Sequence, residues 1–123
     1  MKRVVCLVAV LLLLLCSCSK ENKSQPIDVG SFSYADDCAY YKDDPGVKKS
    51  GFVNNEESEF NSAEQVVDLA KKECTVEYDT IDVAVDSETG IYRISFYKDG
   101  WVGGNQDVYI NQEGITQMII YGE

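Results

Sequence analysis

Hydrophobic and polar positions divide the chain into three regimes. Val4 to Leu15 is a run of twelve apolar residues, Ile27 to Asn61 mixes aromatics with charge and turn residues, and regular periods begin at Ser62. Ser62 with Gln65 three places on matches a helix-capping box, and Ala63, Val66, Val67, Ala70 and Cys74 then fall on one helical stripe. Lys71 and Lys72 complement the negative end of such a helix. The period then changes to two. Ile81, Val83 and Val85 alternate with Asp82 and Ala84; Tyr92, Ile94 and Phe96 alternate with Arg93 and Ser95; Val108 and Ile110 flank Tyr109; and Ile115 to Tyr121 is a last apolar run. Asp86 to Gly90 and Asn111 to Gly114 read as hairpin turns, and Lys98 to Asn105 as a longer glycine-rich connection. The expectation is an α+β domain, one helix laid on a four-stranded antiparallel meander, because that arrangement buries both apolar stripes at once.

The first apolar run reads differently. Lys2 and Arg3 precede it as a positive n-region, and as a helix it would rise only ~18 Å, short of the ~30 Å hydrocarbon core of a bilayer. It therefore reads as a secretory signal. The run closes on Leu15-Cys16-Ser17-Cys18, which resembles the lipobox of bacterial lipoproteins, with an aliphatic residue at −3, a small residue at −1 and the cysteine that carries the lipid. The resemblance implies cleavage after Ser17 and a diacylglyceryl-modified Cys18. Two acyl chains provide stable anchoring where one gives only marginal binding. Cleavage without lipidation, leaving a free Cys18, is the alternative. The resulting division is a signal peptide at 1–17, a lipidated N-terminus and polar tether at 18–26, an irregular segment packing on the domain at 27–61, and the helix-and-sheet domain at 62–123.

Charge narrows the partners. The chain of 123 residues carries 11 basic and 21 acidic side chains, a net charge of −10. Loss of Lys2 and Arg3 would take it to about −12. Nucleic acid would be repelled, and so would an anionic bilayer, so that membrane attachment falls to the lipid. A like-charged, solubilising surface accounts for the excess of acid; a cationic partner is the other reading.

The ending, Gly103-Gly104-Asn105-Gln106-Asp107-Val108-Tyr109-Ile110 followed by Gly114-Ile115 and Ile120-Tyr121-Gly122-Glu123, is similar to the tail of small bacterial cystatin-like and NTF2-like domains, and Ala63 to Glu73 is similar to their helix. The resemblance covers about Gly51 to Glu123. It implies a cystatin-like or NTF2-like roll of the kind found in lipoproteins and in immunity proteins that bind a toxin. Protease inhibition is not implied: in the inhibitory hairpin Gln-x-Val-x-Gly a glycine closes the motif, whereas Gln106-Asp107-Val108-Tyr109 runs on into Ile110 within a strand.

Candidate chemistry is sparse. The chain has no histidine, which removes His-assisted nucleophiles and the commonest ligand of zinc or iron. No spacing singles out a catalytic pair among the acids, and no cofactor is expected. Asp36, Asp37, Asp43 and Asp44 form the densest acidic cluster, a calcium-binding loop or an exposed turn, without the EF-hand pattern. Cys38 and Cys74 remain as thiols once Cys18 is lipidated. A bridge between them would close roughly 36 residues and contribute about 2–4 kcal/mol; two buried reduced thiols are the alternative. Tyr78, Tyr97 and Tyr109 are expected on or near the sheet face opposite the helix, with Trp101 in the loop beside them. They form either a partner-binding surface or the packing ground for Phe32, Tyr34, Tyr40 and Tyr41. The functional expectation is a membrane-anchored, extracytoplasmic, non-enzymatic module that binds a protein or peptide. The alternative is a small-ligand carrier or enzyme with a cavity between helix and sheet.

Overall fold

The computed structural model describes residues 27–49, 51–52 and 62–122. The expected signal peptide, Cys18 and the expected tether lie outside the described residues. The elements in chain order are β1 (Val29–Ser31), α1 (Tyr34–Tyr40), β2 (Val47–Lys48), α2 (Ala63–Lys71), β3 (Thr80–Val85), β4 (Tyr92–Tyr97), β5 (Gln106–Ile110) and β6 (Thr116–Tyr121). They form one six-stranded sheet in the order β1-β3-β4-β5-β6-β2.

The expected single helix on a four-stranded antiparallel meander, and the cystatin-like or NTF2-like roll with it, is therefore corrected. β3 to β6 do run as an antiparallel meander, but they are the middle of a wider, mixed sheet. The segment read as irregular supplies both outer strands: β1 pairs parallel with β3, and β2 pairs antiparallel with β6. It also supplies a second helix. The physical reason is length. Strands of three and two residues are too short to display a period of two, and they form because the edges of β3 and β6 present unpaired amides and carbonyls.

Helix α2 forms where the capping residues indicate. Ser62 is in extended backbone and its hydroxyl accepts from the Gln65 amide at 3.4 Å. Val66, Val67 and Ala70 are buried against Val83, Ile94, Phe96, Val108, Ile110 and Ile119. Each such valine or larger side chain contributes about 1.5–3 kcal/mol relative to exposure. Below the helix the chain is tied down by Gln106, whose carbonyl accepts from the Thr75 amide at 2.8 Å and whose amide donates to the Glu73 carbonyl at 2.8 Å.

The opposite face holds a second, smaller cluster. Ile91, Tyr109, Met118 and Ile120 are buried there beneath Phe32, Tyr34, Cys38, Tyr41 and Val47. Helix α1 is capped by Ser33, whose hydroxyl accepts from the Asp36 amide at 3.2 Å. The β3–β4 turn holds its entry: Asp86 accepts from the Tyr34 amide at 3.2 Å, the Glu88 amide at 3.0 Å and the Thr89 hydroxyl at 2.9 Å. These donors, the Glu88 amide foremost, hold the Asp86 carboxyl below the usual carboxylate range. In the same turn Gly90 sits at φ 73°, and a Cβ there would strike the Gln112 side chain.

Cys38 and Cys74 are both free thiols. Cys38 packs in the cluster under α1, whereas Cys74 packs on the α2 side and donates to the Val76 carbonyl at 3.5 Å. The considered bridge is not formed, since a disulfide needs Cα atoms within about 7 Å and these two side chains join cores on opposite faces of the sheet.

Candidate functional site: an acidic half of the sheet face

Alternation along the central strands sends Arg93, Ser95 and Tyr97 of β4 and Asp107 and Tyr109 of β5 to the face away from α2. Arg93 stands directly opposite Tyr109, and Ser95 opposite Asp107. Next door on β3, Ala84 faces Arg93 and Asp82 faces Ser95. Helix α1 covers only part of this face, so it divides into a covered aromatic half and an open polar half.

Asp37 marks the boundary. Its Oδ2 accepts from Arg93 Nη1 at 2.8 Å and from the Tyr109 hydroxyl at 2.7 Å. The Arg93 guanidinium lies over the Phe32 ring at 4.6 Å, and the Phe32 and Tyr34 rings stand 5.9 Å and 5.6 Å from that of Tyr109. Burial opposes the charge on Arg93, but the hydrogen bond and charge of Asp37 outweigh it, and the guanidinium is held more firmly protonated than usual. Burial and the adjacent Asp37 carboxylate push the Tyr109 hydroxyl well above the ordinary phenol range. Tyr34 is pushed up to about 12, chiefly by burial, then by its hydrogen bond with Cys38.

In the open half, a hollow of about 310 Å³ is lined by Asp28, Gly30, Ser31, Asp82, Arg93 and Ser95, among others. It exists because the rung across β1 and β3 pairs Gly30 with Ala84, two residues too small to fill it. Asp82 accepts from the Tyr97 hydroxyl at 2.8 Å. Asp107 lies on the next strand, half-buried. Its carboxyl is raised above the usual range: desolvation and the nearby Asp37 charge outweigh the Ser95 hydrogen bond and the attraction of Arg93. Asp28 and Asp82 thus share the hollow with Arg93, whose guanidinium Asp37 engages and Asp107 also attracts. Carboxylate oxygens of this kind accept hydrogen bonds and favour positive charge.

Asp107→Asn is expected to raise the melting temperature at pH 7 to 8. A carboxyl whose folded pKa is raised carries a charging penalty above that pKa. The penalty vanishes below the unfolded value, where both states are protonated. The gain over wild type, followed by thermal melts across pH, should shrink on acidification and disappear below about pH 4. A variant less stable than wild type at neutral pH would contradict the assignment.

The residues singled out by sequence do not form one surface. Tyr109 is fully buried under α1; Tyr97 is half-buried on the same face, bonded to Asp82; and Tyr78 turns to the other face, its ring 4.9 Å from that of Phe96. Trp101 is 70% exposed at the loop tip, with Lys98 Nζ 4.4 Å from its ring centroid. Packing under the N-terminal segment, one of the two roles considered for the tyrosines, is what Phe32, Tyr34 and Tyr41 do around Tyr109. The acidic cluster disperses: Asp37 turns inward to Arg93, while Asp44 accepts from the Gly46 amide at 2.7 Å. Among the described residues no three metal-ligating side chains converge. The ground between α2 and the sheet, where a ligand cavity was the alternative, is occupied by buried Val66, Val67 and Ala70.

Sequence reasoning missed Asp82, Arg93 and Asp107. One signal was available: Arg93 and Asp107 are charges on the polar alternates of two strands that the turn pattern places in mid-sheet, where ionised groups need partners. Comparison of the chain with family models, curated proteins and solved structures yields no match.

Proposed function

We propose that the chain is a non-enzymatic, lipid-anchored extracytoplasmic protein whose acidic half-face receives a basic segment of a protein or peptide partner. The observation that carries this reading is the hollow at β1, β3 and β4. Its two carboxylates, Asp28 and Asp82, outnumber its one cation, Arg93, and that cation is engaged by Asp37. An incoming guanidinium or ammonium group would pair with Asp28 and satisfy the spare oxygens of Asp82. The partner also meets a sheet edge, because β1 is exposed along its length and an extended peptide can pair with its outer side. The net charge of −10 favours encounter with such a partner and opposes nucleic acid.

The membrane half of the proposal rests on the lipobox ending at Cys18. Among the described residues no helix is long and apolar enough to cross a membrane. Intact mass measurement of the native product should find a diacylglyceryl adduct on Cys18 and no leader. An unmodified Cys18 would overturn the anchor.

The binding half is tested by titrating the protein with a short arginine-rich peptide while following backbone amide resonances. Shifts are expected at Gly30, Asp82 and Ser95, weakening as salt is added and weakening further in Asp82→Asn. Shifts confined to other regions, or equal affinity in the variant, would defeat the assignment.

A further inference from the structure

The parallel pairing of β1 with β3 fixes where the chain enters the domain. Val29 stands opposite Val83 in parallel register, so Asp28 and Ile27 lie level with Asp82 and Ile81, and the chain enters from the end of the sheet at which β3 starts. That end of the sheet also holds the close of β4 at Tyr97, the loop from Lys98 to Asn105, and Gly122, whose carbonyl accepts from the Gly104 amide at 3.3 Å. Exposed apolar side chains collect there. Trp101 is 70% exposed and Val102 fully so; Tyr78 flanks β3, and Tyr40 shares a hollow with Asn105, Tyr121 and Gly122. Ile115 projects from the opposite end, in the β5–β6 turn.

We infer that the Trp101-Val102 tip is a membrane-contacting element that seats this end of the sheet in the headgroup region of the bilayer. The inference rests on the reading that the chain preceding Ile27 leads to the membrane. About nine residues separate Cys18 from the domain, and a relaxed polar coil of that length spans only about 15–18 Å. The sheet is about 20 Å tall along its six-residue strands. The tether therefore holds the entry end towards the lipid and leaves the far end, with Ile115, turned away. Tryptophan and tyrosine suit that position because their rings are apolar and their N–H and O–H groups remain wet. Lys98 is the right companion: its ammonium group bonds Glu77 at 2.8 Å and lies over the Trp101 ring, and it can extend to lipid phosphates as the ring enters. Glu77, Asp79 and Asp99 at the same end make a zwitterionic surface the fitting one. The acidic hollow, on the side of the sheet, stays open to a partner.

Trp101 is the only tryptophan in the chain, so its emission reports the tip alone. The experiment uses the chain from Cys18 onward, which retains every described residue, with an N-terminal histidine tag on phosphatidylcholine vesicles containing a nickel-chelating lipid. This attaches the entry end whether or not Cys18 is acylated in the cell, so failure of the anchor, read by mass measurement, stays distinguishable from failure of the tip. A blue shift of Trp101 emission on attachment, strong quenching by lipids brominated near the headgroup, and loss of both in Val102→Asp are expected. Val102 touches nothing that folding depends on. Unshifted emission with no quenching while the protein remains on the vesicles would overturn the inference.

Discussion

Tyr109→Ala is expected to destabilise the domain by about 3–5 kcal/mol, the range for removing a fully buried aromatic ring. The ring is the floor on which Phe32 and Tyr34 sit, and its hydroxyl is one of two donors to Asp37. Its loss both opens a cavity under α1 and weakens the anchoring of that helix. Tyr109→Phe separates the two effects. It keeps the ring and removes only the bond to a carboxylate, which Arg93 still serves at 2.8 Å, and should cost roughly 1–3 kcal/mol. Against a total stability of order 5–15 kcal/mol, the alanine variant loses a large fraction of the folding free energy. Urea unfolding followed by far-ultraviolet dichroism measures both. Trp101 fluorescence is a poor probe, because the ring is already exposed in the folded state. A cost below about 1 kcal/mol for Tyr109→Ala would mean that α1 is not docked as described.

Gln106→Leu is the second large effect, expected at about 2–4 kcal/mol although the side chain stays similar in volume and gains apolar character. The reason lies in what is left behind. The Thr75 amide and the Glu73 carbonyl both lose their partner, and Gln106 is fully buried on the α2 side of the sheet. The loss should be local before it is global: hydrogen exchange at Thr75 should accelerate most, followed by the last turn of α2. Unchanged exchange at Thr75 would show that the link does not hold the helix exit. The same residue starts the Gln-x-Val run inside the core and within β5, away from any exposed hairpin turn.

The parts of the fold legible in sequence are those whose cause is local. Ser62 caps a helix because its own hydroxyl reaches the Gln65 amide, and the alternation in β3 and β4 is long enough to declare itself. The two edge strands and α1 were not legible. Val29–Ser31 and Val47–Lys48 have no period to read, and α1, seven residues long, is held by a cap, by Asp86 more than forty residues away, and by Asp37 reaching Arg93 and Tyr109. Of the candidate site, Asp37 was read as one of four neighbouring acids. Its distinction is the partner it meets, and no spacing along the chain contains that. Cys38 and Cys74 make the same point in reverse, an even pair in sequence that folding assigns to opposite faces.

By itself the sequence determined the apolar run Val4 to Leu15 with its charged start, the acid excess, the capped amphipathic helix and the four alternating strands, because each depends on residues within a few places of one another. Only the tertiary structure decided that the N-terminal segment completes both edges of the sheet, that Asp37, Arg93 and Tyr109 form one network, and that Asp28 and Asp82 meet Arg93 at a hollow floored by Gly30 and Ala84. Edge-strand pairing joins residues 54 positions apart at Val29 and Val83 and 73 apart at Val47 and Ile120, through backbone groups that every residue carries, so the selection is made by burial and register in the folded chain.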